Sequence, residues 1–267
     1  VLGPLRPSWV ERTGLSPQTQ VVCGLHDSNA ALLAARGCAE IAGQEATVLS
    51  TGTWFVGMRT PGLGAAVDIG ALPEGRDCLV NVDAYGRPIP SARFMGGREA
   101  ELLGGSEAQR IDIGPDQPRL VAAAAEAVRA GARVLPTLTP GAGPFPNGRG
   151  RWVSPPADPD QRRAATGLYL AMTAHAALGL IGARERIVVE GRFAGAEVFV
   201  RALAALRPSE AIYVSGAEHD ASYGALRLLE DQPLSPSSLT RVRPLEVDIG
   251  GYAQQWAQDA GQIEAAA

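Results

Sequence analysis

The chain has 267 residues, of which 46% are hydrophobic and 19% charged, and its formal net charge is −4. This length and hydrophobic content are enough to bury the core of one large domain, or of one domain with part of another. A mildly acidic protein is not attracted to phosphate backbones or to anionic lipid headgroups, so nucleic acid and membrane surfaces are excluded as partners.

The cysteines and the apolar stretches bear on the cellular compartment. Cys23, Cys38 and Cys78 are odd in number and lack metal-ligand spacing, as expected for incidental thiols in a reducing environment. The longest apolar stretch, 168–183, is interrupted by polar residues and is shorter than the roughly 20 residues that span a bilayer. No signal segment is recognisable at the N-terminus. We therefore expect a cytoplasmic protein.

The predicted elements, in chain order, alternate between strands and helices. A strand at 21–23 leads into a helix capped by Asp27 or Ser28. Strands joined as hairpins are then predicted at 46–50, 54–59 and 78–83, a helix near 92–103, a helix at 118–130, a short strand from 134, a Pro- and Gly-rich loop at 136–159 and a helix from Asp160 to Ile181. The last regular unit consists of a strand at 187–189, a helix at 194–206, a strand at 212–214 and a helix at 221–229.

This order indicates the fold class. Three antiparallel strands, a helix and then strand–helix–strand–helix is the order of a ribonuclease-H-like, actin-type α/β nucleotide-binding domain with a mixed sheet, and its last two strands should be parallel. In such a domain the hairpin turn after the first strand approaches the turn after a later strand, and nucleotide binds at those strand ends. A Pro- and Ser-rich linker at 233–238, a strand within 241–248 and a short last helix complete the prediction.

Two motifs carry chemistry. Asp27, in Gly-Leu-His-Asp-Ser, follows the first predicted strand and supplies a carboxylate that can serve as a base. In Ser-Thr-Gly-Thr-Trp at 50–54, glycine stands between hydroxyl residues in a tight turn suited to phosphate oxygens. A base and a phosphate-binding turn together predict a phosphotransfer site.

With the segment Ile187-Val188-Val189-Glu190-Gly191, these motifs resemble the C-terminal part of FGGY-type carbohydrate kinases, and they are most similar to the rhamnulokinase and fuculokinase branch. The resemblance extends from about residue 3 to 230. It implies ATP- and Mg²⁺-dependent phosphorylation of a sugar or polyol hydroxyl, with Asp27 as the catalytic base and His26 and Asp27 at the substrate. The implied nucleotide-binding residues are Thr51, Gly52, Thr53, Gly96, Gly191 and Gly195.

The resemblance also implies a division of the chain. The family's first domain begins with an Asp-x-Gly-Thr hairpin, and no such hairpin precedes residue 21. We therefore interpret residues 1–44 as the C-terminal remnant of a first, sugar-binding domain, with its last strand and helix, and residues 45–267 as the second, nucleotide-binding domain. The expected partners are a sugar or polyol and the missing domain, while a homodimer stays open.

Two turns depart from the family pattern. The adenosine-side turn, usually Gly-Gly-Gly-Ala, is Gly191-Arg192-Phe193-Ala194, and the Gly-Glu-Arg of the long loop is Gly141-Ala142-Gly143. Because of these departures, the identity of the nucleotide and the level of kinase activity stay open.

Each candidate residue also has a purely structural interpretation. Asp27 can be a helix cap, His26 a structural histidine, Thr51–Thr53 an ordinary hairpin turn, and the glycines can serve close packing or helix entry. Two other function classes stay open. One is a non-catalytic nucleotide-binding module; the other is a metal-dependent phosphohydrolase with His26, Asp27, His219 and Asp220 as ligands.

Overall fold

A computed structural model describes residues 1–104, 110–216, 221–229 and 239–266. Its helices are α1 (Pro7–Thr13), α2 (Asp27–Ala35), α3 (Gly96–Gly104), α4 (Gln117–Arg129), α5 (Pro159–Leu180), α6 (Glu197–Leu206), α7 (Ala221–Leu226) and α8 (Gly250–Ala266). Its strands are β1 (Gly3–Pro4), β2 (Gln20–Val21), β3 (Ala46–Thr51), β4 (Phe55–Thr60), β5 (Cys78–Val82), β6 (Pro88–Phe94), β7 (Arg133–Leu135), β8 (Arg151–Val153), β9 (Arg186–Gly191), β10 (Ala211–Ser215) and β11 (Leu239–Arg241).

A seven-stranded mixed sheet, ordered β11-β10-β9-β3-β4-β6-β5, forms the centre of the fold. Strands β3, β9 and β10 are parallel, while β4, β6 and β5 form an antiparallel meander. The parallel strands are covered on both faces, which is why Ile187, Val188 and Val189 are all fully buried. The ribonuclease-H-like α/β fold and the parallel pairing of β9 with β10 are thereby confirmed.

The helices cover the two faces of the sheet. Helices α4, α5 and α6 belong to the larger core cluster, which also includes α8. On the other face, Leu32 and Ala35 of α2 pack with Val48 and Met58 of the sheet. Helix α7 packs on α2 so closely that a Cβ at Gly224 would lie 1.8 Å from the carbonyl oxygen of Ala30. No helix in the described ranges is long and apolar enough to cross a membrane.

Three sequence predictions need correction around the meander. Strand β6 was missed, the helix predicted near 92–103 begins only at Gly96, and β5 pairs with β6 rather than with β4. Pro88 and Pro90 make the sequence of β6 look unlike a strand, because proline lacks the N–H that a sheet pairs. Both precede Ser91, where pairing with β4 begins, so they lie where β6 needs no donor toward that neighbour.

Other boundaries also shift. The first predicted strand is β2, which ends at Val21 and pairs with β1. Helix α5 is capped by Asp158 rather than begun at Asp160, the long loop contains β8, the final strand begins at Leu239, and the last helix is 17 residues long. The predicted linker at 233–238 lies outside the described residues.

Candidate active site

Two turns meet at one edge of the sheet. Thr51, at the end of β3, pairs with Phe55 across the hairpin and with Gly191 across the parallel strand β9. The hairpin turn, residues 52–54, therefore lies beside the Gly191 turn, residues 191–195, as the element order predicts.

The hydroxyl of Thr51 joins these two turns. It donates a hydrogen bond to the carbonyl oxygen of Glu190 (2.5 Å) and accepts one from the backbone N–H of Phe193 (3.0 Å). Thr51 is 2% exposed, whereas Gly52 and Thr53 are exposed in the hairpin turn. Thr51 thus uses its hydroxyl to fix the backbone, whereas Thr53 is an exposed residue of the turn.

The start of α3 forms a third wall of the site. A Cβ at Gly97 would lie 2.0 Å from the carbonyl oxygen of Gly52, and the N–H of Arg98 donates to the carbonyl oxygen of Thr53 (3.3 Å). The predicted residue Gly96 has a different role in packing, because a Cβ there would meet the rings of Phe94 and Phe55 at 2.7–2.8 Å. Of the Gly96-Gly97 pair that opens α3, Gly97 is therefore the glycine that approaches the hairpin turn.

The two predicted glycines of the Gly191 turn differ. Gly191 has a φ of 84° and a ψ of −163°, and a Cβ on it would lie 2.5 Å from the carbonyl oxygen of Thr51. Gly195 is exposed, and a Cβ there would meet nothing within 4 Å. Close packing therefore accounts for Gly191 but does not account for Gly195.

Arg192 connects the Gly191 turn to α3 and to the segment around Asp112. Its Nε lies 3.0 Å from Oδ2 of Asp112, and its Nη1 lies 3.6 Å from Oε1 of Glu101 on α3. The side chain of Asp112 is only 4% exposed and also pairs with Arg110. Burial alone would raise the pKa of Asp112, but the hydrogen bonds from Arg110 and Arg192 outweigh it and lower that pKa to about 2.

Glu99 anchors α3 to the rest of the fold. Its carboxylate is buried and accepts hydrogen bonds from the N–H groups of Leu138 (2.9 Å) and Thr139 (3.0 Å) and from the hydroxyls of Thr139 and Tyr169. Burial, and then the charge of Glu99, raise the pKa of Tyr169 well above its usual value. One side chain thus ties α3, α5 and the long loop together, and the sequence gives no sign of it.

His26 and Asp27 lie at the start of α2. His26 is the N-cap, so the prediction that Asp27 or Ser28 caps the helix was wrong by one or two positions. Oδ1 of Asp27 accepts from the N–H of Ser28 (2.7 Å) and lies 2.7 Å from Nδ1 of His26. The Asp27 side chain is 82% exposed, so its carboxylate is open to a ligand. In the described part of the chain, the hydrogen bonds and the ion pair of these two side chains stay within 26–28, and none reaches the hairpin turn.

The residues at the sheet edge fit a nucleotide. Gly52 and Gly195 are exposed and leave part of each turn uncovered, and α3 begins against the hairpin turn, so the positive end of that helix lies beside the turn. Within the described ranges, no three His, Cys, Asp or Glu side chains are grouped as metal ligands. His219 and Asp220 lie outside the described residues.

Comparison with known proteins gives consistent matches. A family model for the C-terminal domain of FGGY carbohydrate kinases matches residues 43–237. A solved carbohydrate kinase from Novosphingobium aromaticivorans is 57% identical, with a TM-score of 0.88, over 97% of this chain and 56% of its own. Two more distant structures share the fold. Xylulose kinase from Rhodospirillum rubrum is 17% identical, with a TM-score of 0.66, over 100% of this chain and 55% of its own. The structure of Plasmodium falciparum glycerol kinase with ADP is 10% identical, with a TM-score of 0.57, over 92% of this chain and 52% of its own. No curated protein sequence matches. The chain thus spans little more than half the length of these solved kinases.

Proposed function

The chain belongs to the FGGY carbohydrate kinase family, and we propose that it forms the nucleotide-binding part of an enzyme that transfers the γ-phosphoryl group of ATP to a sugar or polyol hydroxyl. The observation that carries this proposal is the meeting of three backbone segments at one edge of the sheet. The hairpin turn, the Gly191 turn and the start of α3 approach each other through glycines that leave no room for side chains.

In this proposal, each candidate nucleotide-binding residue has a defined role. ATP would supply the phosphoryl group, and its bound Mg²⁺ would partly neutralise the negative charge of the phosphates. Gly52 and Thr53 hold the phosphates, and Thr51 fixes the hairpin turn against Glu190 and Phe193. Gly191 keeps the backbone of Thr51 close, and Gly96 lets the start of α3 pack on the neighbouring phenylalanine rings. Gly195 leaves the end of the Gly191 turn uncovered beside the nucleotide.

Asp27 is proposed as the base. Its exposed carboxylate accepts the proton of the acceptor hydroxyl as that oxygen attacks, and His26 lies beside it to contact the substrate. Catalysis of this kind depends chiefly on positioning, so Asp27 and the hairpin turn must be brought into line in the complete enzyme.

The proposal extends to a further domain. Residues 1–44 would then be the end of a first domain that carries most of the sugar contacts, and residues 45–267 the second domain; closure of the two would exclude water. The N-terminal segment has an apolar surface for such a partner, because Trp9 and Leu15 are 48% and 51% exposed and α1 buries none of its residues. A cytoplasmic location and the rhamnulokinase and fuculokinase branch remain predictions.

Calorimetric titration of this chain with Mg²⁺ and ATP tests the proposal. We expect weak binding and no sugar phosphorylation by the chain alone, with turnover only when the chain is expressed together with the coding sequence upstream of Val1. Absence of nucleotide binding would contradict the assignment of the site, and strong turnover by the chain alone would contradict the need for a first domain.

A non-catalytic nucleotide-binding module is the second candidate. It is favoured by Arg192 and Phe193, which replace two glycines of the family's adenosine-side turn. ATP binding without sugar-dependent turnover in the extended protein would support this candidate over the kinase.

A further inference from the structure

The guanidinium group of Arg192 is held by its edges. Its Nε and Nη2 donate to the two carboxylate oxygens of Asp112, at 3.0 and 3.4 Å, while Nη1 faces Glu101 at 3.6 Å. Because every N–H of a guanidinium lies in its plane, these partners occupy the rim of the group and leave its two faces uncovered.

One of these faces is already covered. The Cζ of Arg192 lies over the ring of Phe193, 5.0 Å from the ring centre, and that ring is fully buried against the ring of Phe55, also at 5.0 Å. The side chain of Arg192 nevertheless keeps 34% of its surface exposed. None of these contacts in the described part of the chain involves the other face of the guanidinium, and the carboxylates at its edges hold that planar face in place.

We propose that this open face is the platform on which the purine base of the nucleotide stacks, which makes Arg192 a residue that selects for the nucleoside. This inference rests on the proposed function. Planar guanidinium groups stack on aromatic faces, and the platform lies next to Gly191, whose backbone touches Thr51 at the end of the hairpin turn. A nucleotide with its phosphates at Gly52 and Thr53 would thus place its base toward Arg192.

The substitution of glycine by arginine in this turn then has a function. A glycine cannot contribute a planar surface, whereas an arginine fixed by two carboxylates offers one that needs no further ordering when the base binds. The Gly191-Arg192-Phe193 sequence would thereby add contacts to the nucleoside rather than mark a degenerate turn.

The test compares ATP with tripolyphosphate, which carries the phosphates but no base. The Kd of each, with Mg²⁺, is measured calorimetrically for the wild-type chain and for Arg192→Lys, Arg192→Met and Arg129→Met. Lysine keeps the positive charge but lacks the planar face. Arg129, paired with Glu126 on α4, is a matched control for loss of a surface ion pair.

We expect Arg192→Lys and Arg192→Met to weaken ATP binding about tenfold relative to tripolyphosphate binding, with no such change for Arg129→Met. Equal losses for both ligands, or no loss for ATP, in variants that melt like the wild type would overturn the platform and leave the nucleotide site standing. If the wild-type chain binds neither ligand, the proposed function fails and this inference fails with it.

Discussion

The backbone of Gly97 lies directly against the carbonyl oxygen of Gly52, so that a Cβ at 97 would be 2.0 Å from that oxygen. Since both groups are backbone, neither can rotate away as a side chain could. Any side chain at position 97 would push α3 away from the hairpin turn. Gly97 therefore sets how closely the helix approaches the candidate phosphate-binding turn.

Gly97→Ala should separate α3 from the hairpin turn. We expect a loss of about 1–3 kcal/mol in the free energy of unfolding, as for other overpacked sites, together with weaker ATP binding. Urea unfolding and calorimetry measure the two effects. Gly195→Ala is the matched control, because a Cβ there meets nothing within 4 Å, and it should leave stability unchanged. A Gly97→Ala variant as stable as Gly195→Ala would refute the close contact.

The two threonines of the hairpin should respond differently to loss of the hydroxyl. Thr51→Val removes the hydroxyl that donates to the carbonyl oxygen of Glu190 and accepts from the N–H of Phe193, so the free energy of unfolding should fall by about 1–3 kcal/mol. Thr53→Val removes an exposed hydroxyl and should weaken binding of ATP and of tripolyphosphate without lowering stability. Equal melting temperatures for the two variants would contradict this division of roles.

The sequence predicted the central sheet because its periodicity reports burial. The strands at 46–50 and 187–189 are short, mostly apolar runs covered on both faces, and such runs are visible without knowledge of their neighbours. Strand β6 was missed because Pro88 and Pro90 argue against a strand, and only the pairing register explains why they are tolerated. Local composition does not show which distant segments pair as strands.

The candidate site was predictable to a similar extent. The hairpin motif and Gly191 could be identified because their turns need special backbone geometry. The contacts of Glu99 with Leu138 and Tyr169 join residues about forty and seventy positions apart, and no local pattern marks them. Arg192 appeared to be a departure from a motif, and its ion pair with Asp112 emerges only from the folded chain.

The ion pair at Asp112 makes stability depend on pH. The folded-state pKa of about 2 lies below the unfolded value near 3.8, so the pair stabilises the fold above about pH 4 and loses this effect as pH falls from 3.8 towards 2. Asp112→Asn should therefore cost on the order of 1 kcal/mol at pH 7, because its arginine partners are partly exposed to solvent, and less near pH 3.

Urea unfolding of the wild type and of Asp112→Asn at pH 7, 5 and 3 measures this difference. Glu126→Gln, which removes an exposed pair with Arg129, is the control and should change stability little at any of these pH values. A difference between wild type and Asp112→Asn that stays constant down to pH 3 would show that the carboxylate's charge is not what stabilises the turn.

Asp27→Asn tests the proposed base directly. Asparagine keeps the size of the side chain and an oxygen that can accept from the N–H of Ser28, but it cannot accept a proton from a hydroxyl. In the protein extended upstream of Val1, turnover should fall by about 10²–10⁴-fold, while ATP affinity and melting temperature stay near the wild-type values. His26→Asn, which removes the neighbouring imidazole, should mainly raise KM for the sugar. If Asp27→Asn keeps near-normal turnover, then Asp27 serves only the first turn of α2, and the kinase mechanism loses its base.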